Sequence, residues 1–145
     1  MGNIVKDINS KFQNQHIKAF INILYTSNWI NNKQNKFFKP FGISPQQYNV
    51  LRILRGANQP LMVQTIKERM IVTTPNTTRL LDKLLTKGFV NRVPCPNDRR
   101  VIHIEITDEG LSLLDKIAKS EDLDHLNNLT EQEAKQLSDL LDKIR

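Results

Sequence analysis

From residue 3 to residue 39 the chain carries neither glycine nor proline, and apolar side chains recur along it at helical steps: Val5, Ile8, Phe12, Ile17, Phe20, Ile21, Leu24 and Tyr25. That spacing predicts one long helix or two abutting ones, up to about 50 Å of rod at about 1.5 Å per residue. A chain of 145 residues has room for one domain with a proper core and is short for two. A domain of that size cannot bury such a rod by itself. The segment "FINILY" is apolar on most sides, which calls for a second covering surface such as another subunit.

Downstream, the helix and turn signals are frequent. In "FKPFGISPQQYNVLRIL", Ser44 suits an N-cap, Pro45 the first helical position, and Gln47 completes a capping box. The predicted helix carries Tyr48, Val50, Leu51, Ile53 and Leu54 and ends near "GANQP". Two short helical segments follow. The first is "VQTIKERM", with Ile66 and Met70 on one side; the second is "TPNTTRLLDKLLTKG", opened by a Thr74 cap and Pro75 and closed by Gly88. "FVNRV" and "VIHIEIT", joined by "PCPNDRR", then read as a hairpin, because Ile102, Ile104 and Ile106 hold every second position. Thr107 opens a further helix, and Thr130 with Glu133 makes a capping box for "EQEAKQLSDLLDKIR". In that last helix Ala134, Leu137, Leu140, Leu141 and Ile144 form one stripe, which is marginal alone in water and must pack on something.

The net charge of +6 is unevenly spread. Residues 1–72 carry ten Lys and Arg against Asp7 and Glu68, and residues 73–106 carry six against Asp82, Asp98 and Glu105. Residues 107–145 reverse the balance, with five cations against ten acids. Such asymmetry suggests a polyanionic partner for the first two thirds of the chain.

Two short helices followed by a two-stranded hairpin are the parts of a winged helix-turn-helix. At about 100° per residue, Asn76, Arg79, Asp82, Lys83 and Thr86 share one face of the second helix, and Thr77, Leu80, Leu81 and Leu84 lie opposite. A recognition helix needs a polar, basic stripe of this kind, with short polar residues at its N-terminal end to reach base edges and phosphates. The plainer reading is an amphipathic surface helix with a solvated face. The hairpin tip favours the first reading: Arg99 and Arg100 are the residue type that enters a minor groove. Asp98 suits such a surface if it pairs with a nearby arginine and positions it.

"DRRVIHIEITDEG" resembles the wing-and-helix signature of the MarR family of bacterial transcription regulators. In that family an Asp-x-Arg wing tip precedes a strand and a Leu/Ile-Thr-x-x-Gly helix start, and Asp98, Arg100, Thr107 and Gly110 fall at the same spacing. "TTPNTTRLLDKLLTKGFVNR" is similar to the family's recognition helix and first wing strand, and "FGISPQQYNVLRIL" to its second helix. The resemblance covers about residues 40 to 118. It implies an α+β, mostly α fold: a winged helix-turn-helix with long N- and C-terminal dimerisation helices. Residues 1–38 and 108–145 would dimerise and 39–107 would form the DNA-binding lobe, in a single intertwined domain. The implied activity is sequence-specific binding of a palindromic double-stranded DNA operator by a homodimer, as a ligand-responsive repressor. By position, Thr74, Asn76, Thr77, Arg79 and Lys83 would meet the major groove and nearby phosphates. Arg100 would enter the minor groove supported by Asp98, with Arg99 a second candidate that the motif does not require. The competing reading, a winged-helix module that binds protein and not DNA, predicts a neutral recognition face and a wing without basic residues.

Members of this family often bind small aromatic or amphipathic acids between the dimer helices and the DNA-binding lobe. Tyr25, Trp29, Phe41, Tyr48 and Arg52 are the matching candidates here, with core packing between lobes as the alternative role. Some members sense peroxide through a cysteine near the start of the first helix; this chain has none there. Its one cysteine, Cys95, lies in the wing between prolines and excludes an internal disulfide framework. His16, His103 and His125 show no metal-ligand spacing. No nucleophile–base pair, glycine-rich phosphate loop or close carboxylate pair stands in a recognisable setting. We therefore expect neither enzyme activity nor a cofactor or metal. No apolar run approaches the roughly 20 residues of a membrane span, and "MGNIVKDINS" lacks the pattern of a signal peptide. These features predict a cytoplasmic protein with no membrane partner.

Overall fold

The computed structural model describes residues 1–120 and 125–145. The opening segment forms two helices: a single turn α1 (Ile4–Asp7) and a long α2 (Gln15–Phe38). The break lies where Asn9 takes a left-handed backbone (φ 48°), and Asn14 restarts the helix by accepting the Ile17 N–H at 2.9 Å. At 24 residues, α2 spans about 36 Å. Its last residue, Phe38, is fully buried, and a 3-10 turn (Lys39–Phe41) closed by Gly42 (φ 71°) redirects the chain.

The Ser44 box forms as expected. Ser44 Oγ accepts the Gln47 N–H at 3.1 Å and Gln47 Oε1 accepts the Ser44 N–H at 2.9 Å, opening α3 (Pro45–Ala57). Two residues, Leu61–Met62, then make a short strand β1 ahead of α4 (Val63–Arg69). The second short helix, α5 (Thr77–Thr86), runs into β2 (Val90–Pro94), β3 (Ile102–Ile106), α6 (Asp108–Ala118) and α7 (Glu131–Ile144). The sheet is antiparallel in the order β1-β3-β2, with Leu61 opposite Ile104 and Arg92 opposite the same residue on the other side.

The structure corrects the start of α5. Its N-cap is Asn76, without a side-chain bond, and not Thr74. Thr74 contributes through its backbone: its carbonyl accepts the Thr77 hydroxyl at 2.9 Å. The C-terminal end matches the sequence reading, because Gly88 is left-handed (φ 77°). Gly88 N–H donates to the Leu85 carbonyl and Phe89 N–H to the Leu84 carbonyl, both at 3.0 Å, the paired bonds of a Schellman ending.

One core joins the elements. Val50, Leu51 and Leu54 of α3 meet Ile66 of α4, Leu81 and Leu84 of α5, Val90 and Ile104 of the sheet, and Leu114 and Ile117 of α6. The α5–α6 junction is tied by Thr107, whose hydroxyl donates to the Gly88 carbonyl at 2.6 Å while its N–H donates to Phe89 O at 3.1 Å. The same hydroxyl oxygen accepts the Gly110 N–H at 3.1 Å and so caps α6. A Cβ on Gly110 would overlap the Phe89 carbonyl oxygen and lie 2.7 Å from Ile106 Cγ1. The Thr-x-x-Gly spacing is therefore a docking requirement: it seats α6 against the turn that ends α5.

Apolar faces remain uncovered on α2 and α7. Phe20 is 59% exposed, and Leu24, Tyr25 and Trp29 follow it on the outer side of α2. On α7, Leu137, Leu140 and Ile144 are all exposed and no residue is buried.

Candidate nucleic-acid interface

α5 divides its sides as its sequence predicts. Thr77, Leu81 and Leu84 are buried, while Asn76, Thr78, Arg79, Asp82, Lys83 and Thr86 face solvent. This split corrects one predicted contact. Thr77 has no exposed surface and its hydroxyl is spent on the Thr74 carbonyl, so it shapes the helix entrance from within and cannot touch a groove. Thr78, its exposed neighbour, takes its place on the outer face. The turn before α5 is held from α3, where Asn49 Oδ1 accepts the Ile71 N–H at 2.9 Å.

The wing is a five-pair ladder from Val90↔Ile106 to Pro94↔Ile102. At its tip the Cys95 N–H donates to Val101 O at 2.9 Å and the Val101 N–H to Asp98 O at 3.0 Å. Asp98 Oδ1 accepts the backbone N–H of Arg100 at 3.0 Å. The carboxylate thus fixes the turn that carries Arg100 and does not pair with a guanidinium, contrary to the expected ion pair. Arg99 and Arg100 are exposed, and neither has an ion-pair partner among the described residues. Arginines presented this way keep all their donors for a polyanion.

Helix and wing are bridged by a residue the sequence reading left aside. Arg92 on β2 reaches Asp82 on α5, with Nη2 2.6 Å from Oδ1. The pair neutralises the one carboxylate on the stripe. A second tie, from Lys87 Nζ to the Gly42 carbonyl, joins the end of α5 to the entrance of α3.

The five effector candidates separate into two places within the protomer. Tyr25 and Trp29 line a cleft of about 420 Å³ between α1 and α2, with Ile4 and Asn22. Phe41 and Tyr48 join an aromatic cluster instead: Tyr48 stacks on Phe38 at 4.5 Å and Phe37 lies 5.6 Å from Phe41. Arg52 Nη1 donates to the Tyr48 hydroxyl at 3.4 Å. His125 packs edge-on against Phe37 at 6.0 Å. No group of three or more metal-ligating side chains stands together among the described residues, and no helix among them is long and apolar enough to cross a membrane.

A short helix, a turn, a second helix with a basic outer face and a paired wing with an arginine tip define the winged helix-turn-helix class. The family profile of MarR matches residues 43–102, the stretch from the Ser44 box to the start of β3. MhqR, a transcriptional regulator of Bacillus subtilis, is 30% identical over 132 residues, covering 88% of this chain and 90% of the relative. The multiple antibiotic resistance protein MarR of Salmonella typhimurium is 33% identical over 76% of this chain and 78% of its own length. The chain belongs to the MarR family of transcription regulators. Its fold superposes with a TM-score of 0.77 on a MarR variant from E. coli solved in complex with operator DNA, at 28% identity over 93% of this chain and 99% of that one.

Proposed function

We propose that the protein is a sequence-specific, double-stranded DNA-binding transcription regulator that acts as a homodimer on a palindromic operator and represses until an effector releases it. The observation that carries this reading is the Asp82–Arg92 ion pair, which ties the basic outer face of α5 to the wing whose tip carries Arg99 and Arg100. The outer face of α5 offers Asn76, Arg79 and Lys83 to a major groove, and Arg100, with Arg99, extends from the wing toward the adjacent minor groove. Thr74 enters through the backbone of the preceding turn, and Asp98 holds the tip in shape. Dimerisation is supported by the apolar faces of α2 and α7, which stay exposed among the described residues of the protomer. Arginines at the wing tip without an ion-pair partner among the described residues favour a polyanionic partner over a protein-binding module with a neutral face. An effector reaching Tyr25 and Trp29 would act at the long N-terminal helix, while one reaching Phe41, Tyr48 and Arg52 would act at the 3-10 turn that joins α2 to α3.

The test is fluorescence anisotropy of the purified protein with its own upstream DNA and with a scrambled duplex, across a salt series. Tight binding to the first alone, with two protomers per site and a steep salt slope, is the expected outcome. Equal weak binding to both would reduce the activity to generic basic attraction.

A further inference from the structure

The cleft of about 420 Å³ between α1 and α2 is walled by Ile4 and Asp7 on one side and by Asn22, Tyr25, Thr26 and Trp29 on the other. Its charge runs against that of the chain. The protein carries 21 Lys and Arg against 15 Asp and Glu, yet Asp7 is the one charged side chain among the described lining residues. Asp7 Oδ2 accepts the Asn3 N–H at 3.0 Å, which ties the carboxylate to the start of α1. The carboxylate has no ion-pair partner among the described residues. Across from it, Tyr25 and Trp29 keep part of their ring surface exposed. An aromatic face attracts a cation through its quadrupole, and Trp29 already does so: Lys33 Nζ stands 5.3 Å from its ring centroid. Lys33 itself does not line the cleft. Thr26 gives its hydroxyl proton to Asn22 Oδ1 at 3.2 Å, so the Thr26 oxygen is left to accept. Carboxylate, rings and hydroxyl oxygen together form a setting for positive charge.

We propose that this cleft binds an amphipathic organic cation, a primary ammonium on an apolar body. The ammonium would donate to Asp7 and to the Thr26 oxygen, and the body would lie against Tyr25, Trp29 and Ile4. An aromatic carboxylate would meet a carboxylate there and no cation, so the lining selects against it. A neutral aromatic alcohol would gain the rings but leave Asp7 without a counter-charge. The site gives Tyr25 and Trp29 a ligand class within one protomer, and it rests on no part of the DNA-binding reading.

Trp29 is the only tryptophan of the chain, so its emission reports on the cleft directly. The full-length protein is titrated at constant ionic strength with phenethylammonium, with neutral 2-phenylethanol and with anionic 3-phenylpropionate. Phenethylammonium should give a saturable change and bind about fivefold or more tighter than either of the others, the scale of one charge-assisted contact. In a protein of net charge +6, generic attraction would favour the anion instead. Asp7→Asn, whose amide oxygen can still accept the Asn3 N–H, should remove the preference: the ammonium weakens by about fivefold or more and the alcohol binds as before. Calorimetry repeats the comparison without the reporter, and there Trp29→Leu should weaken the ammonium more than the alcohol. No saturable response to phenethylammonium, equal affinity for the alcohol, or a preference that survives Asp7→Asn overturns the proposal. If Asp7→Asn loses both ligands because α1 loosens, Trp29→Leu decides, and an undiminished gap between ammonium and alcohol there overturns the proposal too. These titrations contain no DNA, so a wild type that binds no duplex would sink the DNA reading and leave this one standing.

Discussion

At the wing tip a two-residue detail decides what Arg100 can do. Asp98 accepts the Arg100 backbone N–H, an Asx-type turn that leaves the guanidinium without an ion-pair partner among the described residues. Arg100→Ala should weaken binding to the protein's own upstream DNA by more than about tenfold, the scale of losing a well-placed charge-assisted contact. Anisotropy titration measures it, and an unchanged affinity would remove the wing from the mechanism. The residue types at this tip were legible from the sequence, but the use of Asp98 was not: adjacency of charges does not say whether a carboxylate turns to a backbone N–H or to a guanidinium. Thr77 teaches the same lesson. Its place among small polar residues suggested a groove contact, whereas the helical period already set it opposite Arg79, and the period proved the better guide.

Between elements, the Asp82–Arg92 bridge ties the recognition helix to the wing. Both side chains are about half exposed, so the pair adds no more than about 1 kcal/mol to folding. Its consequence is geometric, because in the proposed DNA complex the helix and wing tip enter neighbouring grooves at once. In a double-mutant cycle with Asp82→Asn and Arg92→Gln, the melting temperature should barely move, while DNA affinity shows a coupling of about 0.5 kcal/mol or more. Additive effects on affinity would mean that the two residues act only through their separate charges. α7 offers a pH prediction. Thr130 donates its N–H and its hydroxyl to the Glu133 carboxylate, which holds that carboxyl below the ordinary glutamate range. A carboxyl depressed by folding contributes stability above its unfolded value and loses it as pH falls through the folded one. Helix content by circular dichroism should therefore fall in acid earlier for the wild type than the Glu133→Gln variant, whose amide still caps but does not titrate. Identical acid profiles would deny the cap a role. Both capping boxes, the Gly88 ending and the hairpin were visible in the sequence because each has a local chemical signature. Strand β1 was not, since two residues carry no period.

Across the whole molecule the decisive feature is what stays uncovered. The sequence announced a rod too long for one small domain, and the structure leaves the outer faces of α2 and α7 in solvent. Burial of such faces between two copies is the natural resolution, at about 25 cal/mol per Å² of apolar surface removed from water. Leu140→Glu, at a site 61% exposed in the protomer, should leave the lobe folded, shift sedimentation from dimer to monomer, and lower affinity for a two-half-site duplex by more than about tenfold. A variant that sediments as the wild type does would place the interface elsewhere. Periodicity could show that these faces exist but not where they gather. For the same reason the five effector candidates, all legible as aromatic or cationic, did not reveal that Tyr25 and Trp29 lie apart from Phe41, Tyr48 and Arg52.

The central claim is that one protomer reads a major groove with α5 and an adjacent minor groove with its wing, twice over in a symmetric dimer. Chemical footprinting on the protein's own upstream DNA tests it most directly, with dimethyl sulfate reporting guanine N7 in the major groove and hydroxyl radicals reporting the minor-groove edge. The account predicts two major-groove protections separated by about one helical turn or a multiple of it, each flanked by a minor-groove protection that disappears in Arg100→Ala. A single unpaired protection, or minor-groove protection that survives the loss of Arg100, would contradict it.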